Sequence, residues 1–207
     1  RENLMQLTCY HVCKNEGSPE FIKKNAPFIS KGANRWLGEG AYLWTDSDMW
    51  ARFWNKTAYD SLGIIIKFMV DIPDEEVLDL VGNVKQQIEF YEAWYDVSKK
   101  LKRNIKNISA YIMFLRELNE DDGESFTYAA IRAKDNPRID LNKEFSVKKI
   151  NFIPKKLHED NDSVPYSTFM ERHQICVFPE FKARYVRFEK FTYPSTFGYT
   201  VTREGVR

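Results

Sequence analysis

The sequence predicts a single α+β domain, with strands near both ends of the chain and helices between them. Apolar residues make up 43% of the 207 residues, which is enough to bury one sizeable core. Strand-like runs occur at 7–13, 37–44 and 62–72, and again after residue 174, whereas apolar residues recur at helical spacing within 82–120. No repeat, low-complexity tract or linker divides the chain, so we assign residues 1–207 to one domain with a helical insertion at about 82–120.

The first half of the chain is predicted to alternate strands with two helices. The strands are Leu7–Cys13, Leu37–Trp44, Leu62–Ile72 and a short one at Val77–Val81. The first helix starts at Ser18-Pro19, because serine caps a helix and proline is tolerated at its first position, and it stops at Pro27. The second follows a cap at Thr45 or Asp46 and runs to about residue 59. Its aromatic rings share one face through three- and four-residue spacing: Trp50, Phe53 and Trp54.

The second half is predicted to begin with two amphipathic helices. Their apolar residues recur at helical spacing, first at Val84, Ile88, Tyr91 and Tyr95, then at Ile105, Ile108, Ile112 and Leu115. An acidic turn is expected at Asn119–Gly123, and 126–133 fits either a strand or a helix. A polar stretch broken by prolines covers 135–165. Strand composition returns at Gln174–Phe178 and Phe181–Phe191.

Composition excludes several classes of protein. Lys and Arg total 31 against 30 for Asp and Glu, so bulk charge does not indicate binding to nucleic acid or to anionic membranes. No apolar run reaches the ~18 residues of a membrane helix, so we expect no membrane contact. The three cysteines are odd in number and form no CxxC pair, and no apolar signal segment opens the chain, which favours a reducing, cytoplasmic setting. Cys9, His11 and Cys13 would share a strand face, but without a nearby fourth ligand we expect no metal.

Three short segments carry the chemical signal. Tyr10-His11 ends the first strand, Gly38-Glu39-Gly40-Ala41-Tyr42 opens the second, and Gln174-Ile175-Cys176-Val177-Phe178 lies near the end of the chain. Two glycines let a backbone pass close to a flat ligand, and a tyrosine ring can stack on it. Each segment also has a purely structural explanation: a packed histidine, a glycine hairpin with a core tyrosine, and a strand-start glutamine. A dinucleotide-fold fingerprint is excluded because GxGxxG is absent.

Taken in this order, the segments resemble the ADP-ribosyltransferase family, in its histidine-tyrosine branch that includes the poly-ADP-ribose polymerases. The Gly-x-Gly-x-Tyr pattern and its continuation into the next helix span about sixteen positions, with Ala51 and Phe53 at the expected offsets. The resemblance implies a split β-sheet core with a helical insertion. It also implies that NAD is bound as a substrate and that no metal is needed.

The resemblance further implies roles for individual residues. His11 would bind a ribose hydroxyl, backbone groups of Val12 and Cys13 would hold the nicotinamide amide, and Tyr42 would stack on nicotinamide. Gln174 occupies the position of the family's acidic residue, and Glu171 is the reserve candidate for that acid. The remaining cofactor-binding residues implied are Arg35, Gly38, Gly40, Trp50 and Phe53, and Lys31 or Arg35 would meet the pyrophosphate, although a solvated loop charge explains either.

The expected activity is transfer of ADP-ribose from NAD to a macromolecular acceptor, protein or nucleic acid, with release of nicotinamide. The Arg35–Gly38 lead-in and the Tyr42–Trp44 ending resemble compact bacterial toxins or phage-defence effectors, which implies an antitoxin or regulatory protein as a partner. Two alternatives stay open. One is a pseudoenzyme that binds NAD or ADP-ribose without turnover because Gln174 replaces the acid. The other is an interaction module in which the helices of 84–118 present a partner surface.

Overall fold

A computed structural model describes residues 3–32, 35–100, 105, 107–135, 146–152 and 165–198 of the chain. These residues form a mixed α+β fold with a mostly sheet core, which confirms the predicted class. The strands are β1 (Leu4–Cys13), β2 (Ile29–Ser30), β3 (Gly40–Thr45), β4 (Ile64–Pro73), β5 (Val77–Asp79), β6 (Ala130–Asp135), β7 (Lys148–Asn151), β8 (Tyr166–Phe169), β9 (Arg172–Val177) and β10 (Val186–Tyr193). The helices are α1 (Pro19–Asn25), α2 (Met49–Tyr59), α3 (Val84–Lys100), α4 (Ile108–Asp122) and α5 (Lys182–Tyr185).

One sheet organises the described part of the chain, with strand order β10-β4-β1-β3-β9-β6-β5 and with β2 added beside β3. Every pairing in it is antiparallel except β5 with β6. β1 pairs with β4 along its whole length, from Leu4↔Pro73 to Cys13↔Ile64. Its pairing with β3 covers only Cys9↔Thr45 and Tyr10↔Trp44. The sheet therefore splits between β1 and β3 beyond Tyr10, at the end of β1 that carries His11.

The core is built on both faces of this sheet. Along β4, alternate residues pack into one cluster with parts of β1, β3 and β9: Ile64, Ile66, Phe68, Val70 and Ile72. Ile65 points to the other face, where it packs with Val12, Trp44, Trp50 and Ala51. Both faces are covered at the start of β4, which therefore opens with three consecutive isoleucines, whereas burial alternates along the rest of the strand. This explains why it is the strand most easily recognised in the sequence.

The ends of several elements differ from the prediction for identifiable reasons. The serine cap of α1 is confirmed, since Ser18 Oγ accepts the Phe21 N–H at 3.2 Å. The second helix starts later than predicted, at Met49 after Asp48, because β3 continues through Thr45 and the Asp46 N–H then bonds to the strand carbonyl of Thr8 at 2.8 Å.

Two later segments also correct the prediction. The acidic residues expected in a turn at 119–122 belong to the last turns of α4, and the left-handed Gly123 ends that helix at φ 69°. The run at 181–191 is not one strand, because the short helix α5 precedes β10. The segment at 126–133 becomes β6 from Ala130 onward. Most of the polar stretch at 135–165 lies outside the described residues; its described part contains β7, which pairs with β8 just after it.

The helical insertion consists of α3 and α4, and the two helices pack differently. α4 buries Tyr111 and Ile112, and Ile112 joins a cluster with residues of β5, β6 and β9. The apolar stripe that predicts α3 does not pack on the sheet, because Val84, Ile88 and Tyr91 are more than half exposed. None of the described helices has the length and apolar composition needed to cross a membrane.

Candidate functional site

A cleft of about 710 Å³ opens where β1 and β3 separate. Its lining brings together residues from all three segments that the sequence singles out: His11, Val12, Cys13, Tyr42 and Gln174. Aromatic side chains from β3 and from the loops and helices around it complete the walls, among them Phe28, Trp36, Trp44, Trp54 and Tyr59. A volume in this range, with aromatic walls and several polar and charged groups, is typical of small-molecule and cofactor sites.

His11 bridges the split in the sheet with its side chain. Its Nδ1 lies 3.0 Å from the carbonyl oxygen of Tyr42, and its Nε2 lies 3.2 Å from the backbone nitrogen of Phe28. The carbonyl can only accept and the amide can only donate, so Nδ1 carries the proton and Nε2 is the acceptor. Burial, helped by the positive charge of Lys182, lowers the pKa of His11 to about 4 and outweighs the opposing effect of the bond to Tyr42. The imidazole is therefore neutral at physiological pH, and both of its nitrogens are engaged.

Tyr42 uses its hydroxyl to hold the loop that precedes β3. The hydroxyl donates to the Gly38 carbonyl at 2.8 Å and accepts the Leu37 N–H at 2.9 Å. Burial raises the pKa of this phenol well above its usual range, so it stays protonated. With both hydroxyl interactions made inside the protein, the part of Tyr42 that remains for a ligand is its ring.

The two glycines of the Gly-x-Gly-x-Tyr pattern are explained by the protein's own packing. A Cβ on Gly40 would lie 2.5 Å from Cys176 Sγ and 2.8 Å from the Val177 carbonyl oxygen, both on the neighbouring strand β9. Gly38 adopts φ +88°, in the left-handed region that favours glycine. Neither glycine is among the described residues that line the cleft. Gly40 is thus needed for close approach to β9 and Gly38 for a turn, instead of the expected close approach to a ligand.

Gln174 lies in the cleft wall with its amide oriented by a tryptophan. Trp36 Nε1 donates to Gln174 Oε1 at 3.2 Å, which identifies that atom as the oxygen. The carbonyl oxygen of Gln174 therefore already accepts one hydrogen bond from within the protein. The amide NH₂ group is the donor that Gln174 brings to the cleft.

Arg172 and Asp135 form an ion pair at the cleft wall that the sequence analysis missed. Arg172 Nε donates to Asp135 Oδ1 at 2.8 Å, a second bond joins its terminal nitrogen to Oδ2, and the guanidinium lies 5.5 Å from the Trp50 ring centroid. Two signals could have found the arginine. It lies two positions before Gln174, on the same strand face, and it sits opposite Asp135 in the β6–β9 register. Trp36 was missed because loop residues carry no periodicity.

Glu171, the reserve candidate for the acid, is held in a separate cluster. Its carboxylate accepts bonds from Lys134 Nζ at 3.0 Å and from Thr168 Oγ1, and it lies 3.1 Å from His173 Nε2. Partial burial raises the pKa of Glu171, but these hydrogen bonds outweigh it and bring the pKa down to about 2. Glu171 is not among the described residues that line the cleft.

Three other predicted cofactor-binding residues lie outside the cleft lining. Arg35 pairs with Glu39 at 3.3 Å. Trp50 is buried and donates to the carbonyls of Met170 and Glu171 at 3.2 and 3.1 Å, which fixes the turn before β9. Phe53 packs edge-on against Trp50, with ring centroids 5.5 Å apart. Their contacts give them structural roles, and the cleft draws on other aromatic residues instead.

The cysteines beside His11 are buried thiols. Burial raises the pKa of Cys13 to about 11 and that of Cys176, which lies opposite Tyr42 on β9, to about 12, so both remain protonated. Within the ranges that the structure describes, no three His, Cys, Asp or Glu side chains are grouped to hold a metal ion.

These features define an α+β domain with a ligand-sized cleft at a split in its sheet. No protein family, curated protein or solved structure matches the chain. Its function must therefore be argued from the cleft and its residues.

Proposed function

We propose that the cleft binds NAD and that the protein transfers ADP-ribose from NAD to a macromolecular acceptor, releasing nicotinamide. One observation carries the proposal: His11, Tyr42 and Gln174 lie in segments separated by 31 and 132 positions, yet all three line one cleft. The strands that carry them, β1, β3 and β9, are neighbours in the sheet, and the cleft opens where the first two separate. This convergence supports the family resemblance of the sequence more than any single motif does.

The lining suits the two ends of a dinucleotide. Aromatic walls offer stacking surfaces for the nicotinamide and adenine rings. Arg172 brings a guanidinium to the same cleft, and its planar donor pair matches the geometry of phosphate oxygens. We assign to Arg172 the pyrophosphate contact that the sequence analysis gave to Lys31 or Arg35. Asp135, its present partner, is the group that a pyrophosphate would replace.

The reaction breaks the glycosidic bond between the nicotinamide nitrogen and C1 of its ribose. The bonding electron pair leaves with nicotinamide, which becomes neutral, while the ribose passes through an oxocarbenium-like cation. A nucleophile of the acceptor then bonds to C1 and loses a proton to solvent. A neutral His11 suits this chemistry, because an imidazolium in the same cleft would repel the developing positive charge.

The same geometry favours a second candidate, a protein that binds NAD with little turnover. Gln174 carries no charge to stabilise the ribose cation, and its carbonyl dipole is shared with Trp36. Glu171, the nearest reserve carboxylate in the sequence, is engaged by Lys134, Thr168 and His173. Binding without chemistry would make the chain an NAD-sensing or ADP-ribose-binding module.

In its cellular role we propose a cytoplasmic toxin or phage-defence effector of bacterial type, restrained by an antitoxin or other regulatory protein. The acceptor is a protein or a nucleic acid. The support is the resemblance of the glycine segment to compact bacterial transferases, combined with a cleft that requires no metal for the chemistry described above.

Labelled NAD tests both candidates in one experiment. Purified protein is incubated with cell extract and with NAD labelled in its adenylate half. One portion of the products is then treated with protease and another portion with nuclease. Label that becomes sensitive to one treatment, together with released nicotinamide, supports transfer and names the acceptor class. Calorimetric binding without nicotinamide release supports the second candidate. Absence of both binding and release overturns the assignment of the cleft to NAD.

A further inference from the structure

Helix α3 is fixed to the sheet edge by one face only. Gln86 caps the free edge of β5, since its Oε1 accepts the Asp79 N–H at 2.7 Å and its Nε2 donates to the Val77 carbonyl at 3.2 Å. Phe90, one turn further on, packs against Tyr111 of α4 with ring centroids 5.3 Å apart. These contacts set the rotation of α3 about its own axis. They also determine which residues point away from the domain.

The outward face carries the apolar stripe by which the sequence predicts α3, and we call this stripe the α3 seam. Its members are Val84, Ile88, Tyr91 and Tyr95, which are 65%, 51%, 59% and 43% exposed. Their spacing of four, three and four residues is that of the a and d positions of a heptad, the pattern by which one helix packs along another. A contiguous exposed apolar stripe of this kind marks an interaction surface. The partner it fits is another helix.

We propose that the α3 seam pairs with the α3 seam of a second copy of this chain, with the two helices antiparallel. Charge is the first argument. Lys85 and Glu92 flank the seam on the same side, one heptad apart. In the antiparallel register that aligns the two seams, Lys85 lies beside Glu92 of the partner subunit, and the two-fold axis repeats this pair.

Side-chain size gives the same orientation. The antiparallel register sets Val84 opposite Tyr95 of the partner subunit and Ile88 opposite Tyr91 of the partner subunit, so every layer combines one aliphatic residue with one tyrosine. A parallel pair would instead set tyrosine against tyrosine in two layers. It would also place Glu92 beside the uncharged Gln87 of the partner subunit. The seam is therefore complementary to itself in one direction only.

The proposed interface is small, which sets the affinity to expect. The 17 residues of α3 span about 26 Å. A single helix pair of that length buries less surface than a standard stable interface, so we expect a dimer that dissociates in the micromolar range. This inference does not depend on what the cleft binds.

Sedimentation velocity of the purified chain from about 1 to 100 µM tests the pairing, since dimer population rises with concentration. We expect a shift from monomer to dimer across this range. Glu92→Lys replaces two attractive pairs by two repulsions and should weaken dimerisation about tenfold or more. The matched control is Glu117→Lys, which makes the same charge change at an exposed residue of helix α4 and leaves the Lys85–Glu89 pair of α3 in place. It should leave the dimer unchanged.

Mixing variants makes the test specific. Lys85→Glu alone should weaken dimerisation to a similar extent, yet an equimolar mixture of Lys85→Glu and Glu92→Lys should form a heterodimer, because each chain supplies the charge that the other needs. Cysteine cross-linking checks direction: Val84→Cys should cross-link with Tyr95→Cys in a mixture but not with itself. The three native cysteines are buried and do not interfere. A monomer at 100 µM, or a dimer that ignores Glu92→Lys, overturns the proposal.

Discussion

Lowering the pH should destabilise the fold through His11, by an amount that the structure sets. Burial lowers the pKa of His11 to about 4 from the ordinary 6.5 of the unfolded chain. Because the folded-state pKa is the lower one, the unfolded state binds more protons as the pH falls. The contribution is fully present above pH 6.5 and is lost progressively as the pH drops toward 4. Between pH 7.5 and pH 5, linkage with these two values removes about 2 kcal/mol of unfolding free energy.

Urea unfolding at pH 7.5 and at pH 5 measures this loss, and a non-titrating variant isolates the contribution of His11. His11→Gln keeps a side chain that donates and accepts but cannot take up a proton. Carboxylates titrate in both proteins, so the difference between them reports the imidazole alone. The wild type should lose about 2 kcal/mol more than the variant. An equal loss in the two proteins would refute a buried, neutral His11.

Three further predictions concern the residues around the cleft. Gly40→Ala forces a Cβ against Cys176 Sγ at 2.5 Å and should lower the free energy of unfolding by about 1 to 3 kcal/mol in a thermal melt. Gly32→Ala, whose Cβ would have no atom within 4 Å, should lower it little, and equal losses would contradict the packing role of Gly40. Gln174→Glu should raise the rate of nicotinamide release at least about tenfold, because a carboxylate about 4 Å from the ribose cation stabilises that cation by up to about 4 kcal/mol. An unchanged rate would show that Gln174 takes no part in the reaction. Glu171→Gln should lower the stability at pH 7, because it removes the ion pair with Lys134, and should leave the NAD affinity measured by calorimetry unchanged, because residue 171 lies outside the cleft lining. A loss of affinity would show that Glu171 belongs to the binding site.

Much of the fold was accessible from sequence because the relevant patterns are local. The β4 run, the serine cap of α1 and the helical spacing of α4 each need only neighbouring residues to be recognised, and the structure contains all three elements. The start of α2 was predicted too early for the opposite reason. Pairing of β3 with β1 extends the strand through Thr45, and nothing in the local sequence indicates that pairing.

Roles that depend on distant neighbours could not be assigned from the sequence. Gly40 is required because Cys176 of β9 lies against it, 136 positions away in the chain. The carbonyl of Gln174 is occupied because a loop tryptophan reaches it. α3 shows the same limit. Its regular apolar stripe faces outward, because Gln86, a polar residue, caps the edge of β5 and so determines which face of α3 meets the sheet.

The central claim, that this cleft binds NAD, is tested most directly by the thermal unfolding midpoint measured against NAD concentration. Binding to the folded state should raise the stability by about 2.7 kcal/mol at a hundred times the dissociation constant. Arg172→Gln should weaken the response, because Arg172 lies in the cleft, whereas Arg187→Gln, which breaks an arginine–aspartate pair on β10 with Asp71, should leave it intact. A midpoint that does not move with NAD, or that moves equally in both variants, would contradict the account.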